Sequence, residues 1–299
     1  MILKDVLPSP ALQEYVRKHQ IIRFVFGATD ILPFKAYSPR PEHCLIFLLR
    51  DKQEVDYLDG NQLMTHPKCT INGQHTIVTN RYIARDFWAL QIVLHPGALF
   101  RLTGIPSYEL TNTFIDAEAI WGKDIRETYE QMTNTEDVDK SILIAEAFLE
   151  KIIRKSKHDS HGIDRISQLI LGQDNNAISK DYFANQSSRN LQIYHAKSQF
   201  SMDYLANQAC LSPRQFHRKF IERMGVNPKV FDRIVRFEKA YRMKNACPEL
   251  DWLTVALHTG YYDYQHLVKD YKDFTKLTPA AFYETDTKAP ERFFGGKEV

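Results

Sequence analysis

The C-terminal third of this chain carries one short frame twice. The first copy runs Leu205-Ala206, Cys210-Leu211-Ser212, Phe216, Phe220 and Gly225-Val226-Asn227-Pro228. The second runs Val255-Ala256, Gly260-Tyr261-Tyr262-Asp263, Leu267, Tyr271 and Lys276-Leu277-Thr278-Pro279. Ala206 and Ala256 are offset by 50 positions, Pro228 and Pro279 by 51, so the second copy has one extra residue in its turn. A short apolar helix, a turn and a second helix with apolar residues four apart is a helix-turn-helix. Two such units on one chain can enter successive major grooves on one face of double-stranded DNA. The frame points to sequence-specific DNA binding rather than catalysis.

In the first copy Ser201 is placed to cap a first helix, whose apolar face is Leu205, Ala206 and Ala209. Cys210 holds the turn position that Gly260 holds in the second copy. A left-handed backbone there costs a non-glycine residue roughly 1 kcal/mol, so Cys210 is either mildly strained or in an altered turn. Ser212-Pro213 opens the second helix with a cap and a preset first residue. Burying Phe216 and Phe220 rotates Arg214, His217 and Arg218 outward, with Gln215 and Lys219 beside them. Arg can grip guanine O6 and N7, and His can donate or accept at a base edge. Lys219 and Arg223 suit phosphates.

The second copy repeats the plan, with Asp263 as cap and Leu267 and Tyr271 inward. Tyr264, Gln265, Val268 and Lys269 then face outward. Gln pairs with adenine, Val packs on a thymine methyl, and Lys272 suits a phosphate. Asp263 and Asp270 make this helix less basic, so it is expected to add less affinity. Between the copies, Val230 to Asn245 reads as one helix, with Phe231, Ile234, Val235, Phe237 and Ala240 among its buried positions; its rigidity would fix the spacing of the two readers. A basic helix face is by itself more often plain solvated surface; the duplicated frame is what favours groove reading. Charge agrees modestly: residues 190–284 carry 14 Lys/Arg against 10 Asp/Glu, while the whole chain has a net charge of only +2.

Residues 201–283 resemble the DNA-binding domain of AraC/XylS-type bacterial transcription regulators. The resemblance rests on Leu205-Ala206, Leu211-Ser212-Pro213-Arg214-Gln215-Phe216, Arg218, Phe220, Gly225-Val226-Asn227-Pro228-Lys229, Arg236-Phe237, Ala240, Gly260-Tyr261-Tyr262-Asp263, His266-Leu267, Phe274 and Thr278-Pro279-Ala280-Ala281-Phe282-Tyr283. It implies two helix-turn-helix units joined by a long helix, and base reading by Arg214, His217 and Arg218 with Gln265, Val268 and Lys269 as counterparts. It also implies activation through contact with RNA polymerase, and a sensor or dimerisation domain ahead of the DNA module. Two positions depart from the family pattern: Cys210 and Lys276 stand where it has glycine.

The N-terminal half reads first as strands and then as helices. The runs Ile21–Phe26, Cys44–Leu49, Cys69–Thr79 and Phe87–Leu94 are rich in β-branched, aromatic and leucine residues, punctuated by Pro33, Pro39, Pro41, Asp59-Gly60 and Asn72-Gly73. This spacing predicts a small antiparallel sheet or barrel. Helical pieces follow at Ala98–Thr103 and Ala117–Met132, the latter interrupted at Trp121-Gly122, and a longer amphipathic helix over 138–154. The expected class is α+β: a sensor-like β domain with helices over 1–155, a helix and linker over 156–190, an all-α DNA-binding domain over 191–284, and a loose tail over 285–299. The segments Leu94-His95-Pro96-Gly97-Ala98, Leu110-Thr111-Asn112 and Ile120-Trp121-Gly122 are similar to one sensor type found in the family named above.

No C-x-x-C joins Cys44, Cys69, Cys210 and Cys247, and His43, His66, His75 and His95 form no H-x-H string, so neither a metal nor a cofactor is expected. No apolar run approaches the ~18 residues of a membrane span, and the start has no secretory core, which leads to the expectation of a reduced, cytoplasmic protein. Three readings stand at this point. In the first, the N-terminal domain of a DNA-binding regulator senses a small-molecule effector, forms a homodimer, or both. In the second, it only dimerises. The third is an enzyme fused to a DNA module, with Cys44 or Cys69 accepting a methyl group, although no activating Cys–His arrangement surrounds them.

Overall fold

The computed structural model describes residues 1–57, 62–172 and 201–293. The expected linker after Gly172, the expected domain start at Leu191, the Asp59-Gly60 breaker and the tail from 294 lie outside the described residues. The strands are β1 (Ile2–Val6), β2 (Val16–Val25), β3 (Phe34–Tyr37), β4 (Cys44–Leu48), β5 (Gln53–Tyr57), β6 (Gln62–Thr65), β7 (Cys69–Asn72), β8 (Thr79–Ile83), β9 (Asp86–Leu94) and β10 (Phe114–Asp116). They pair antiparallel in two sheets, one ordered β1-β2-β9-β4-β7-β10 and the other β3-β8-β5-β6. Both sheets are open, so the barrel allowed by the sequence is not closed. The run Cys69–Thr79, read with a breaker at Asn72-Gly73, spans β7 and the start of β8, which lie in different sheets. Gly73 follows β7, at a point where a Cβ would lie 2.0 Å from the Leu110 carbonyl oxygen.

The larger sheet is covered on both faces, and this explains its unbroken apolar runs. Along β4, Leu45 and Phe47 belong to the core shared with the helices, whereas Cys44, Ile46 and Leu48 face the second sheet. Along β9, Trp88, Leu90 and Ile92 point one way and Phe87, Ala89 and Val93 the other. The covering helices are α1 (Ala98–Thr103), a 3-10 turn at Ser107–Leu110, α2 (Glu118–Trp121), α3 (Lys123–Thr133) and α4 (Val138–Lys155). The break between α2 and α3 falls at the expected Gly122, which has φ 50°. Asp137 caps α4 by accepting from the Asp139 and Lys140 amides, and Ile142, Ala145, Leu149 and Ile152 form its buried stripe, with Ile153 half-buried beside them.

Helix α5 (Gly162–Gly172) leaves this half and packs Ile163, Ile166 and Ile170 into the core of the first helix-turn-helix. The C-terminal helices are α6 (Met202–Gln208), α7 (Pro213–Met224), α8 (Pro228–Ala246), α9 (Trp252–His258), α10 (Tyr264–Thr275), α11 (Pro279–Asp286) and α12 (Pro290–Phe293). They build two cores. Leu205, Phe216, Phe220, Phe231 and Val235 form one; Ile234, Phe237, Val255, Leu267, Tyr271, Phe274 and Phe282 form the other, joined by Ala36 of β3 and by Val78 just before β8. The expected loose tail starts with packed residues: Asp286, Ala289, Pro290 and Glu291 are buried. Among the described residues no helix is long and apolar enough to cross a membrane.

Candidate nucleic-acid interface

Helix α7 starts with a capping box. The Gln215 amide donates to Ser212 Oγ (3.3 Å) and the Ser212 amide donates to Gln215 Oε1 (3.1 Å). Gln215, expected among the DNA contacts, therefore uses its side chain at its own helix start. Phe216 and Phe220 are fully buried, which turns Arg214, His217 and Arg218 onto one exposed face. Lys219 is half-buried and pairs with Glu222 at 2.7 Å.

In α10, Asp263 accepts from both the His266 amide and its Nδ1, each at 2.8 Å. Leu267 and Tyr271 are buried; Gln265, Lys269 and Lys272 are exposed, and Tyr264 and Val268 are half-buried. Asp270 corrects one expectation. It is buried and accepts from Arg233 Nε at 2.8 Å, so its charge is neutralised from α8 and does not dilute the outward face.

The two turns superimpose in logic. Leu211 N donates to Ala206 O, and Tyr261 N to Ala256 O, both at 3.0 Å. Tyr262, 78% exposed, is the extra residue of the second copy. Cys210 does adopt the left-handed backbone (φ 54°), as Gly260 does (φ 85°). At the ends of the reading helices the roles reverse, with Gly225 at φ 83° and Lys276 at φ 63°. Each unit thus has one glycine and one strained non-glycine.

Sequence reasoning missed how the DNA module sits against the sheets, because those contacts join residues remote in sequence. Ser107 Oγ donates to the Arg223 carbonyl (2.9 Å) and Thr111 Oγ1 to the Gly225 carbonyl (2.8 Å), satisfying orphan acceptors at the end of α7. At the second unit the Val78 amide donates to Phe274 O at 2.8 Å. Lys35 Nζ on β3 pairs with Asp286 (3.0 Å) and Glu291, and donates to Tyr241 Oη at 3.3 Å. Asn112, in one of the short sensor-like motifs, has φ 57° and accepts from the Thr76 amide at 2.6 Å; it therefore holds a turn.

Between the sheets lies a cavity of about 80 Å³. Its apolar wall is Ile22, Phe24, Ile46, Ile83 and Phe87; Gln53, Gln91, Tyr37, Arg40 and Arg81 supply polar groups, and Pro290 and Glu291 complete it from the C-terminal half. A smaller void shares Tyr37, Arg40, Arg81 and Gln91 and adds Glu42, Asn72 and His75. Burial raises the Glu42 carboxyl, but Arg40 and Arg17 outweigh it and hold it at about 2. Burial, helped by Arg81, lowers His66 and His75 to about 3, and burial lowers His43 to about 4, so all three are neutral near pH 7. Burial also pushes the Cys69 thiol up to about 12 and that of Cys44 well above the usual range, the opposite of an activated nucleophile. Among the described residues no three His, Cys, Asp or Glu side chains cluster as metal ligands.

A family described as "Helix-turn-helix domain" matches residues 205–285, and one described as "Domain of unknown function (DUF6597)" matches residues 4–116. No curated protein matches the chain. Among solved structures, the chain is similar to an apo point variant of ToxT from Vibrio cholerae (9% identity, 94% of this chain and 99% of that one, TM-score 0.44). Another crystal form of ToxT from Vibrio cholerae gives 10% identity over 89% and 98% of the two chains, with a TM-score of 0.45. The AraC-like transcriptional activator CuxR gives 11% identity over 80% and 86%, with a TM-score of 0.25.

Proposed function

We propose that this chain, whose residues 205–285 match a helix-turn-helix domain, is a transcription regulator of the AraC type that binds a specific DNA sequence through both units. Arg214, His217 and Arg218 read one major groove, and Gln265, Val268 and Lys269 the next. Lys219, Tyr264 and Lys272 contact the flanking backbone, and Gln215 sets the start of the first reading helix. The observation that carries the reading is the pair of helices that bury Phe216/Phe220 and Leu267/Tyr271 while turning these side chains to solvent. The protein acts in the cytoplasm as an activator that meets RNA polymerase on the promoter. It works as a monomer or as a homodimer paired through its N-terminal half.

The N-terminal half senses a small molecule in the inter-sheet cavity. An apolar wall with a few convergent polar groups is the usual make-up of a ligand site, and a filled core would have favoured dimerisation alone. The test is selection of genomic fragments by the full chain at a stated salt concentration. Two boxes about one helical turn apart are expected. Equal recovery of all fragments at every salt concentration refutes sequence-specific binding.

A further inference from the structure

The two reading helices start differently. Gln215 and His266 hold the same place in the frame, three residues after the caps Ser212 and Asp263. Gln215 closes its box: its Oε1 accepts from the Ser212 amide at 3.1 Å and from the Ser212 hydroxyl at 3.0 Å. His266 leaves its box open. Its amide and its Nδ1 both donate to Asp263 Oδ1, and these bonds hold the Asp263 carboxyl below the usual carboxylate range. The ring is thereby oriented, and among the described residues its Nε2 has no hydrogen-bond partner. The His266 side chain is 61% exposed, and Tyr262 meets it edge-on at 6.0 Å. Two exposed rings already held in place lose little freedom when a ligand arrives.

We propose that His266, oriented by Asp263 and braced by Tyr262, grips a DNA phosphate between the two boxes, and that it does so as imidazolium, taking a proton from solvent onto Nε2 as the DNA binds. The inference rests on the DNA-binding reading above. The place follows from helix geometry. His266 lies about a quarter-turn round α10 from the centre of Gln265, Lys269 and Lys272. It shares a stripe with Asp273, which lines a groove together with Ile221 and Val226 of the first unit. This flank therefore faces the first unit. Where a helix lies in a major groove, its flanks meet the sugar–phosphate walls. The proton follows from donor counting. With Nδ1–H committed to Asp263, a neutral ring offers only a lone pair at Nε2, and a phosphate oxygen offers another; a proton on Nε2 turns it into a donor. Asp263 and the phosphate both favour that charge. On the same helix Lys269 lies one turn on, and Asp270 turns inward to Arg233. On the helices packed against α10, Arg233 of α8 is held by Asp270 and Asp273, His258 of α9 turns to the Thr254 carbonyl, and Asp286 of α11 is held by Lys35.

The test uses the full chain and a duplex carrying its selected two-box site. Binding is followed across a salt series, and calorimetrically in two buffers of different ionisation heat to count protons. Affinity should rise about five- to tenfold from about pH 8 to about pH 6, with proton uptake on binding. His217 in the first unit is also a titratable contact, so His266→Gln is the comparator. It should remove most of the rise and of the proton uptake, and lower the salt slope at about pH 6 by about one. Base preference should stay as it was, and Tyr262→Ala should lose part of the same effect. Uncharged methylphosphonates are then placed in turn between the boxes. One position should cost the unaltered chain what His266→Gln costs, and the two changes together should cost no more than either alone. Should His266→Gln melt early, that scan on the unaltered chain decides. Equal proton uptake by the unaltered chain and His266→Gln overturns the inference, as does a methylphosphonate scan with no sensitive position. Relaxed preference at one base pair in His266→Gln makes the ring a base reader and overturns the phosphate grip. Failure to select any two-box duplex fells the DNA-binding reading itself, whereas a selected duplex bound alike by both chains at every pH fells only this inference.

Discussion

Arg223 at the end of α7 and Asp164 near the start of α5 share two charged hydrogen bonds, Nε to Oδ1 at 2.5 Å and Nη2 to Oδ2 at 2.6 Å. Both side chains are buried, and the guanidinium also lies 4.8 Å from the Phe100 ring centroid. The pair ties the first reading helix to a helix that precedes it by tens of residues. Removing one partner leaves a buried charge alone, so Asp164→Ala should cost about 3–5 kcal/mol in urea unfolding. Replacing both by leucine should cost less than the two single changes summed. A loss below about 1 kcal/mol in Asp164→Ala would contradict this account. Gly97→Ala should disturb the same pair, since a Cβ there meets Asp164 Oδ1 at 2.0 Å.

Base reading and backbone contact separate by mutation. Arg214→Ala and Arg218→Ala should each cost about 1–3 kcal/mol on the selected site and relax preference at one position. Lys272→Ala should weaken all sequences evenly and reduce the salt slope by about one. Gln215→Ala should lower stability by about 0.5–1 kcal/mol through the lost cap, with base preference unaltered. Binding to shuffled and selected DNA across a salt series reads the three contact variants, and urea unfolding reads the cap; an even loss with Arg214→Ala and Arg218→Ala would reduce α7 to a phosphate contact.

Cys210 and Lys276 hold left-handed backbone that their side chains oppose. Cys210→Gly and Lys276→Gly should each raise stability by about 0.5–1 kcal/mol, less whatever the more flexible unfolded chain takes back. Thermal melting of the single and double variants checks this. The two sites lie in separate units, so the gains should add; a drop in melting temperature for either variant would show that its side chain makes up the strain by packing.

Acid should destabilise the N-terminal half through its neutral histidines. Unfolded histidine titrates near 6.5, whereas burial holds His43 at about 4 and His66 and His75 at about 3. Above pH 6.5 neither state binds the proton. Below it the unfolded chain takes up protons that the fold refuses, so stability is lost from about pH 6.5 down to 3–4, by at most ~1.4 kcal/mol per unit for each histidine. Glu42, held at about 2 in the fold, adds to the loss below its ordinary value of 4.5. Urea midpoints at about pH 7.5 and about pH 5.5 should differ clearly, and His75→Gln should make the fall shallower. Equal midpoints would mean that these rings protonate in place.

What the sequence made legible was local. Ser212, Asp263 and Ser201 were recognisable as caps because capping is decided within three residues, and all three accept the bonds expected. The Trp121-Gly122 break was visible for the same reason. Strands were harder. β1, β3, β5 and β6 are short or edge strands with weak apolar patterns, and periodicity alone missed them. The Asn72-Gly73 breaker within Cys69–Thr79 was legible, but that the strands on either side join different sheets was not, because their partners lie far away in sequence. Arg223, Lys35 and Glu291 carried no signal as docking residues, since charged side chains read as surface until a distant partner is known. Arg214, His217 and Arg218 were found because burying Phe216 and Phe220 leaves them only one direction.

Helix α8 feeds Phe231 and Val235 into one core and Ile234, Phe237 and Ala240 into the other, so the two reading units move as one stiff bar. That bar is moored at both ends, by Ser107 and Thr111 at the first unit and by Lys35 at the second. Two moorings on one rigid body act like a chelate: while one holds, the other re-forms from a high effective concentration. Cutting a single line therefore lets the bar swing without drifting free. Release has the character of a coincidence detector, complete only when both ends let go at once.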